Sequence, residues 1–456
     1  MKALILALTL ALTGTAHAQD AATAAALRDR ALTDPTAWQL VESLTTDIGP
    51  RPVGSPQMAR ARDWAVARLT ALGFQNIKVE EFAKPSWHRG PESARIVAPY
   101  PMKLNILGLG RSPATPAEGI EAEVAVFRTY ADLLAAPQGS LAGKIAVVNQ
   151  SMARTQDGSG YGAINPARTA GPVEAAKRGA LAYLVRSLST GDSNQPHTGA
   201  ATYPADAPHI PAAALGVPDA DHLERLAARG RVRVRLHMAP TVDANSVAWN
   251  ISGEVIGSER PQEIVVIGGH LDSWDPSPGA HDDAAGIAIT TAAARLIAGL
   301  PRRPRRTVRV VMWGSEETGG SETAYAAAHK DEAIVVASEA DFGGDRAWAL
   351  RLPPGSREHP VMATAANVLA PLRIFVDTLP ATSGGADVAG LKAAGVPVFN
   401  FRQDGSRYFD LHHSADDTLD KIDRAQLNQN VAAWASLVYL IADSDIDFRA
   451  LGAAAK

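Results

Sequence analysis

The 456-residue chain contains no cysteine, which rules out disulfides and also the cysteine-linked lipid anchor of a bacterial lipoprotein. It carries almost no excess charge. Forty-four Lys and Arg stand against 48 Asp and Glu, a net charge of −4, so the chain as a whole has no general attraction for nucleic acid or an anionic membrane. The local exception, Arg302-Arg303-Pro304-Arg305-Arg306, is expected to be a solvated loop ahead of a strand at Val308. Long apolar runs are missing too. The stretch from Ala3 to Leu12 is shorter than the ~20 residues a helical membrane span needs, and no later segment qualifies. Two catalytic signatures are lacking: the G-x-S-x-G elbow of serine hydrolases and the H-E-x-x-H helix of one metalloprotease class.

What is present describes an exported globular protein. Apolar residues make up 46% and charged residues 20%, an ordinary balance for folded chains, and the length allows two sizeable cores. Lys2, the apolar run after it and Ala16-His17-Ala18 form an export signal over residues 1–18, with a small-x-small cleavage site. The expected location is therefore the periplasm or the medium.

Helical patterns are expected from Ala21 to Ile48, with a break near Pro35, and from Met58 to Leu72. Ile77 to Phe82 alternates like a half-buried strand. From about Thr115 to Ala239 short apolar runs are separated by Gly-, Pro-, Ser- and Thr-rich loops, the texture of a small α/β insertion. After Asn245 strands and helices alternate, which predicts an α/β fold with a mainly parallel mixed sheet sandwiched by helices. Its expected strands include Ile264–Ile267, Val308–Trp313, Ile334–Ala337 and Val396–Phe401, with helices over Ala285–Leu300 and from Leu427 to Ile441.

The chemistry-bearing residues cluster where these strands end. Gly268-Gly269-His270-Leu271-Asp272 follows the first strand, and ligands of open α/β sheets bind beyond the carboxyl ends of strands. In His-x-Asp the imidazole can face a metal while the carboxylate holds it from behind. Gly279-Ala280-His281-Asp282-Asp283-Ala284-Ala285-Gly286 places two acids at a helix start, where Asp283 is expected to act as a cap and Asp282 to face the site. Glu316-Glu317 follows Trp313, and Asp341 follows the next strand. One of the adjacent glutamates can bind metal while its neighbour serves as general base. His412-His413-Ser414-Ala415-Asp416-Asp417-Thr418 adds imidazoles in a polar loop. Each cluster alone has an ordinary structural explanation. Together they place two His and several carboxylates around one sheet edge, an inventory that suits zinc. A carboxylate shared by two ions ~3.5–4 Å apart would account for the number of acids. Without metal those acids would repel one another.

These strings, His270-Leu271-Asp272-Ser273-Trp274-Asp275, Gly279-Ala280-His281-Asp282-Asp283, Glu316-Glu317, Glu339-Ala340-Asp341 and His412 to Thr418, resemble the di-zinc exopeptidases of the MH clan, and most of all their carboxypeptidase Q (plasma glutamate carboxypeptidase) branch. The resemblance implies two zinc ions per chain: His270 and Asp341 on one, Glu317 and His413 on the other, Asp282 bridging. It implies Glu316 as general base and later acid, Asp272 as the residue that orients His270, and Tyr408 as a contact to the oxyanion or substrate. His413 is preferred to His412 because it stands four residues before Asp417. The middle segment looks like a protease-associated domain, which divides the chain into a catalytic part at 20–115, the insertion at 116–240 and a second catalytic part, with the metal site, at 241–445. The departure from the family pattern is Ala284, where a glycine usually follows the Asp-Asp pair. The implied substrate is a dipeptide or short peptide with a free terminus, and pairing into a homodimer follows from the likeness as well. Two alternatives share much of this inventory: a non-catalytic, receptor-like binding protein, and a single-zinc glutaminyl cyclase.

Overall fold

A computed structural model describes residues 20–454; the expected export signal lies outside the described residues. Within them the chain forms two large sheets of different make-up and two small ones of two and three strands.

The first has five strands in the order Gln75–Ala83, Val247–Val255, Arg306–Trp313, Arg260–His270 and Ala333–Glu339. The first two pairings are antiparallel and the last two parallel, so the sheet is evenly mixed where a mainly parallel one is predicted. The three mutually parallel strands point their carboxyl ends the same way. Both faces are buried, and the period-two pattern of a strand distributes the side chains. Val265, Ile267, Val308, Val310 and Met312 enter one core, while Ile264, Val266, Val311 and Trp313 enter another. The first core is closed by the helices Ala285–Ala298, Arg424–Asp443 and Thr36–Ser43 and by helical backbone over 20–31. The predicted break at Pro35 and the helix Pro56–Ala71 are both found.

Two local expectations fail for identifiable reasons. Of the strand expected over Val396–Phe401, the first four residues make a single bridge, between Val398 and Ala337, and only Asn400 and Phe401 lie in a regular strand. Pro397, with no N–H to give, uses its carbonyl to accept from Ala337 N at 3.0 Å, and the regular strand begins later, at Asn400–Gln403, in a separate three-stranded sheet. The basic run is not all solvated either. Arg306 opens a buried strand, bonds Glu263 at 2.6 Å and donates to the carbonyls of Ile441, Ser444 and Ile446.

The second sheet has eight strands. Its central members, Ile120–Phe127, Lys144–Val148, Ala182–Arg186 and Ala212–Leu215, run parallel. Glu92–Ala98, Met102–Leu104 and Ile106–Gly108 belong to it as well, so the expected division at 115/116 falls inside this unit. The composition shift near Thr115 marks a loop, whereas hydrogen-bond pairing joins Glu92–Ala98 to Arg233–Met238.

Candidate metal centre

The three parallel strands deliver the first residues of the site. His270 is the last residue of Arg260–His270, Glu316 and Glu317 follow Arg306–Trp313 in a turn, and Asp341 comes two residues after Ala333–Glu339. Asp282 lies in the turn before Ala285–Ala298, joined to Asp283 by a cis peptide bond. His413 arrives from the loop after the short helix Tyr408–Leu411, with a left-handed φ of 59°.

Asp282 lies between two donor sets. Its Oδ1 is 3.0 Å from His270 Nε2, which is itself 3.6 Å from Asp341 Oδ1. Its Oδ2 is 3.1 Å from His413 Nε2, and the same nitrogen is 3.1 Å from Glu317 Oε2. His412 stacks on His413 with centroids 3.5 Å apart and reaches Asp282 Oδ2 at 3.6 Å; the Glu317 contact belongs to His413. All five predicted ligand residues are thus brought together. His270, Asp282 and Asp341 form one group with ligand atoms close enough to share an ion, and Asp282 with His412 and His413 a second.

The electrostatics are those of acids and imidazoles forced into one buried space. Burial opposes a charged His270, but the carboxylates of Asp272, Asp282 and Asp341 close around it outweigh that and raise its pKa well above the ordinary value. Burial lifts Glu317 to about 7. It also pushes Glu316 well up, with Asp341 and Glu317 adding repulsion. For His413, burial is overcome by Glu317 and Asp282, and its pKa rises to about 10. Asp282 Oδ2 and Glu317 Oε1 are buried without a hydrogen-bond partner. Such atoms are costly in a folded protein, and a divalent cation is the partner this donor set fits.

Asp272 is placed differently from expectation. Its backbone carbonyl, not its carboxylate, engages His270 Nδ1, at 2.9 Å against 3.6 Å. The carboxylate accepts from Glu316 N at 3.0 Å and Glu317 N at 3.3 Å, and so holds the turn that carries both glutamates. Asp283 behaves as a cap, accepting from Gly286 N at 2.9 Å and also from His270 N at 3.0 Å. The ring of Tyr408 is buried against Phe342 near His412. Burial, with Asp282 and Asp341 nearby, keeps its hydroxyl protonated. Asp275, beside Trp274, is held by Arg89 through two hydrogen bonds of 2.7 and 3.0 Å.

Two supporting residues escaped the sequence reading. Asp417, used there only as a spacing mark, accepts from His281 N at 2.7 Å and Asp282 N at 3.1 Å. Arg51 is fully buried and donates to the carbonyls of Leu271, Gly49, Pro278 and Gly279. Burial lowers its pKa to about 10, which still leaves it charged at neutral pH. The signal available for Arg51 was its place between two prolines in Gly49-Pro50-Arg51-Pro52, where a solvated arginine needs no such rigid frame.

A buried imidazole–carboxylate cluster at the carboxyl edge of a mixed α/β sheet is the setting of a metallohydrolase, and comparison with known proteins narrows the class. The model of peptidase family M28 matches residues 250–438. Carboxypeptidase Q of Mus musculus is 36% identical over 406 residues, covering 88% of this chain and 84% of that protein. The crystal structure of a peptidase M28 precursor from Shewanella amazonensis SB2B superposes with a TM-score of 0.92 at 40% identity, over 94% of this chain and 98% of that one. A zinc aminopeptidase from Bacillus subtilis shares the fold, with a TM-score of 0.63 at 19% identity over 91% and 96% of the two chains. The protein is a metallopeptidase. It belongs to peptidase family M28.

Proposed function

We propose that the chain is an exported di-zinc exopeptidase for dipeptides or short peptides. The observation that carries this reading is the division of Asp282, one oxygen facing His270 and Asp341, the other facing His413 and Glu317. A carboxylate so placed suits a bridge between two ions, with His270 and Asp341 on one and Glu317 and His413 on the other. Bound zinc supplies Lewis acidity and an acidified water as nucleophile. The chain's own residues do the rest. Glu316, held by the Asp272–backbone bond and raised by burial, is suited to take the proton of that water and return it to the departing amine. Tyr408, protonated and buried beside the site, is the candidate contact to the oxyanion. A cavity of about 130 Å³ beside Asp341, lined by Asp157, Phe342, Asn400, Phe401, Arg402 and Gln403, is the candidate place for the end of a peptide. The leader-like residues 1–18 support export, and the eight-stranded unit is proposed to be a protease-associated domain.

The test is metal content together with hydrolysis of amino-acid nitroanilides, free dipeptides and N-blocked dipeptides, in wild type and Glu316→Gln. Two zinc ions in each, with turnover in wild type and its loss in the variant, is the expected result. Two ions without turnover in wild type would indicate a binding protein, and one ion a cyclase-like site.

A further inference from the structure

The eight-stranded unit does more than lie beside the site. It grips the loop that carries His413. Arg154 forms two hydrogen bonds of 2.9 Å to the Asp410 carboxylate, and Thr190 Oγ1 donates to the same group at 2.7 Å. Tyr408 and Phe409 are buried in the core of that unit, among Met152, Ile164 and Leu188. At the end of this contact Thr198 meets His413 twice. Thr198 N donates to the His413 carbonyl at 2.9 Å, and the Thr198 carbonyl lies 3.2 Å from His413 Nδ1. Arg168 Nη1 donates to the same carbonyl at 3.3 Å and stands 3.4 Å from Nδ1. Thr198 is itself fixed from outside the loop, its hydroxyl donating to Gly108 O at 2.8 Å and accepting from Arg89 at 3.2 Å.

Resting on the di-zinc reading above, we propose that Thr198 and Arg168 are positioning residues for one of the two ions only. His413 can turn its Nε2 toward Asp282 and Glu317 because its other nitrogen is committed to the Thr198 carbonyl. Such a bond selects the Nδ1–H tautomer, leaves Nε2 free as the ligand atom and fixes the ring plane. The left-handed backbone at His413 is uncommon for a residue with a side chain, and the Thr198 N–H bond to its carbonyl holds it there. His270 has its own support within the catalytic half, from the Asp272 carbonyl and Asp283, and is independent of this contact. The eight-stranded unit thereby completes the half of the metal site built on Glu317 and His413.

The experiment is equilibrium dialysis of metal-stripped protein against buffered free zinc, resolving the two binding steps, in wild type, Thr198→Pro, Thr198→Ser and Arg168→Met. Proline removes the N–H given to His413, serine keeps every bond, and methionine keeps the arginine stem while removing the donor to the Thr198 carbonyl. The expected result is one binding step unchanged and the other weakened about 10–100-fold in Thr198→Pro, a smaller loss in Arg168→Met at the same step, and wild-type behaviour in Thr198→Ser. If Thr198→Pro does not fold, Arg168→Met against Thr198→Ser decides alone. Equal weakening of both steps, or no change in either variant, overturns the proposal. A wild-type chain that takes up a single ion overturns the di-zinc reading, and this one with it.

Discussion

Raising the pH from 7 to 9 on metal-stripped protein should destabilise it, and His413 supplies a definable share of the effect. In the folded chain burial disfavours its charged form, but Glu317 and Asp282 at 3.1 Å overcome this and hold its pKa at about 10, against ~6.5 for a free histidine. A raised pKa stabilises the fold below the unfolded value, and that stability is lost as pH rises toward the folded one. Between pH 7 and 9 the folded form keeps a proton that the unfolded chain surrenders, at about 1.4 kcal/mol per pH unit, or about 3 kcal/mol in all. Asp387, lifted by burial to about 8, adds in the same sense up to pH 8. His270, Glu316, Glu339 and Asp283, all raised well above their ordinary values, act in that sense as well, so the His413 share is read as the difference in slope between wild type and His413→Gln. The window starts at 7 because buried His197, lowered by burial to about 4, and the similarly lowered His281 and His412 act with the opposite sign below pH 6.5. With an unfolding entropy of ~2.1 cal/mol/K per residue, 3 kcal/mol corresponds to a fall of roughly 3 °C in melting temperature for a chain of this length. Calorimetry of chelator-treated protein at pH 7, 8 and 9 would measure it. With zinc restored the imidazole share of the fall should disappear, since a ligated imidazole is deprotonated already. A flat or rising melting temperature in the metal-stripped protein, or the same slope in His413→Gln, would refute the reasoning.

Three substitutions test the supports around the site. Asp272→Asn sets an amide where a carboxylate accepts two backbone N–H groups; kcat should fall about 10–100-fold with zinc content retained, and an unchanged kcat would remove Asp272 from the positioning of Glu316. Arg51→Met leaves four backbone carbonyls around residues 49 and 271–279 without their donor. Gly279 O keeps its bond from Ala284 N at 3.1 Å, so three acceptors are left unpaired; at about 1–3 kcal/mol each the loss should be ~3 kcal/mol or more in denaturant titration, and a wild-type midpoint would contradict it. Gly286→Ala would place a Cβ 1.7 Å from the Ala340 carbonyl and 2.4 Å from Asp283 Oδ1. Because Ala340 adjoins Asp341, melting temperature and zinc uptake should both drop, and normal uptake would show that the strand end can shift without harm.

How much of this was legible in the sequence depended on whether a residue's role is carried by its own segment or by a distant one. His270, Glu316, Glu317 and Asp341 could be placed because each follows a run such as Ile264–Ile267 or Val308–Trp313, whose apolar character announces a buried strand, and parallel strands bring their carboxyl ends together. Strand order was not visible, and neither was the antiparallel pairing of Gln75–Ala83 with Val247–Val255, since pairing partners more than a hundred residues apart leave no local trace. The same limit explains the misplaced boundary. Glu92–Ala98 is assigned to the eight-stranded unit by its register with Arg233–Met238, while the composition changes only where the loop near Thr115 begins. Asp272 shows a subtler version. The spacing of His-x-Asp is equally compatible with a carboxylate or a carbonyl behind the imidazole, and the choice falls to the carbonyl because the Glu316–Glu317 turn, 44 residues on, offers two N–H groups to the carboxylate. Arg51 and Thr198 complete the series. Arg51 has only its proline frame as a local sign and Thr198 has none, and each matters through a contact with a segment more than 200 residues away. A metal site can therefore be recognised from its ligands while the residues that give those ligands their geometry stay hidden until the chain is folded.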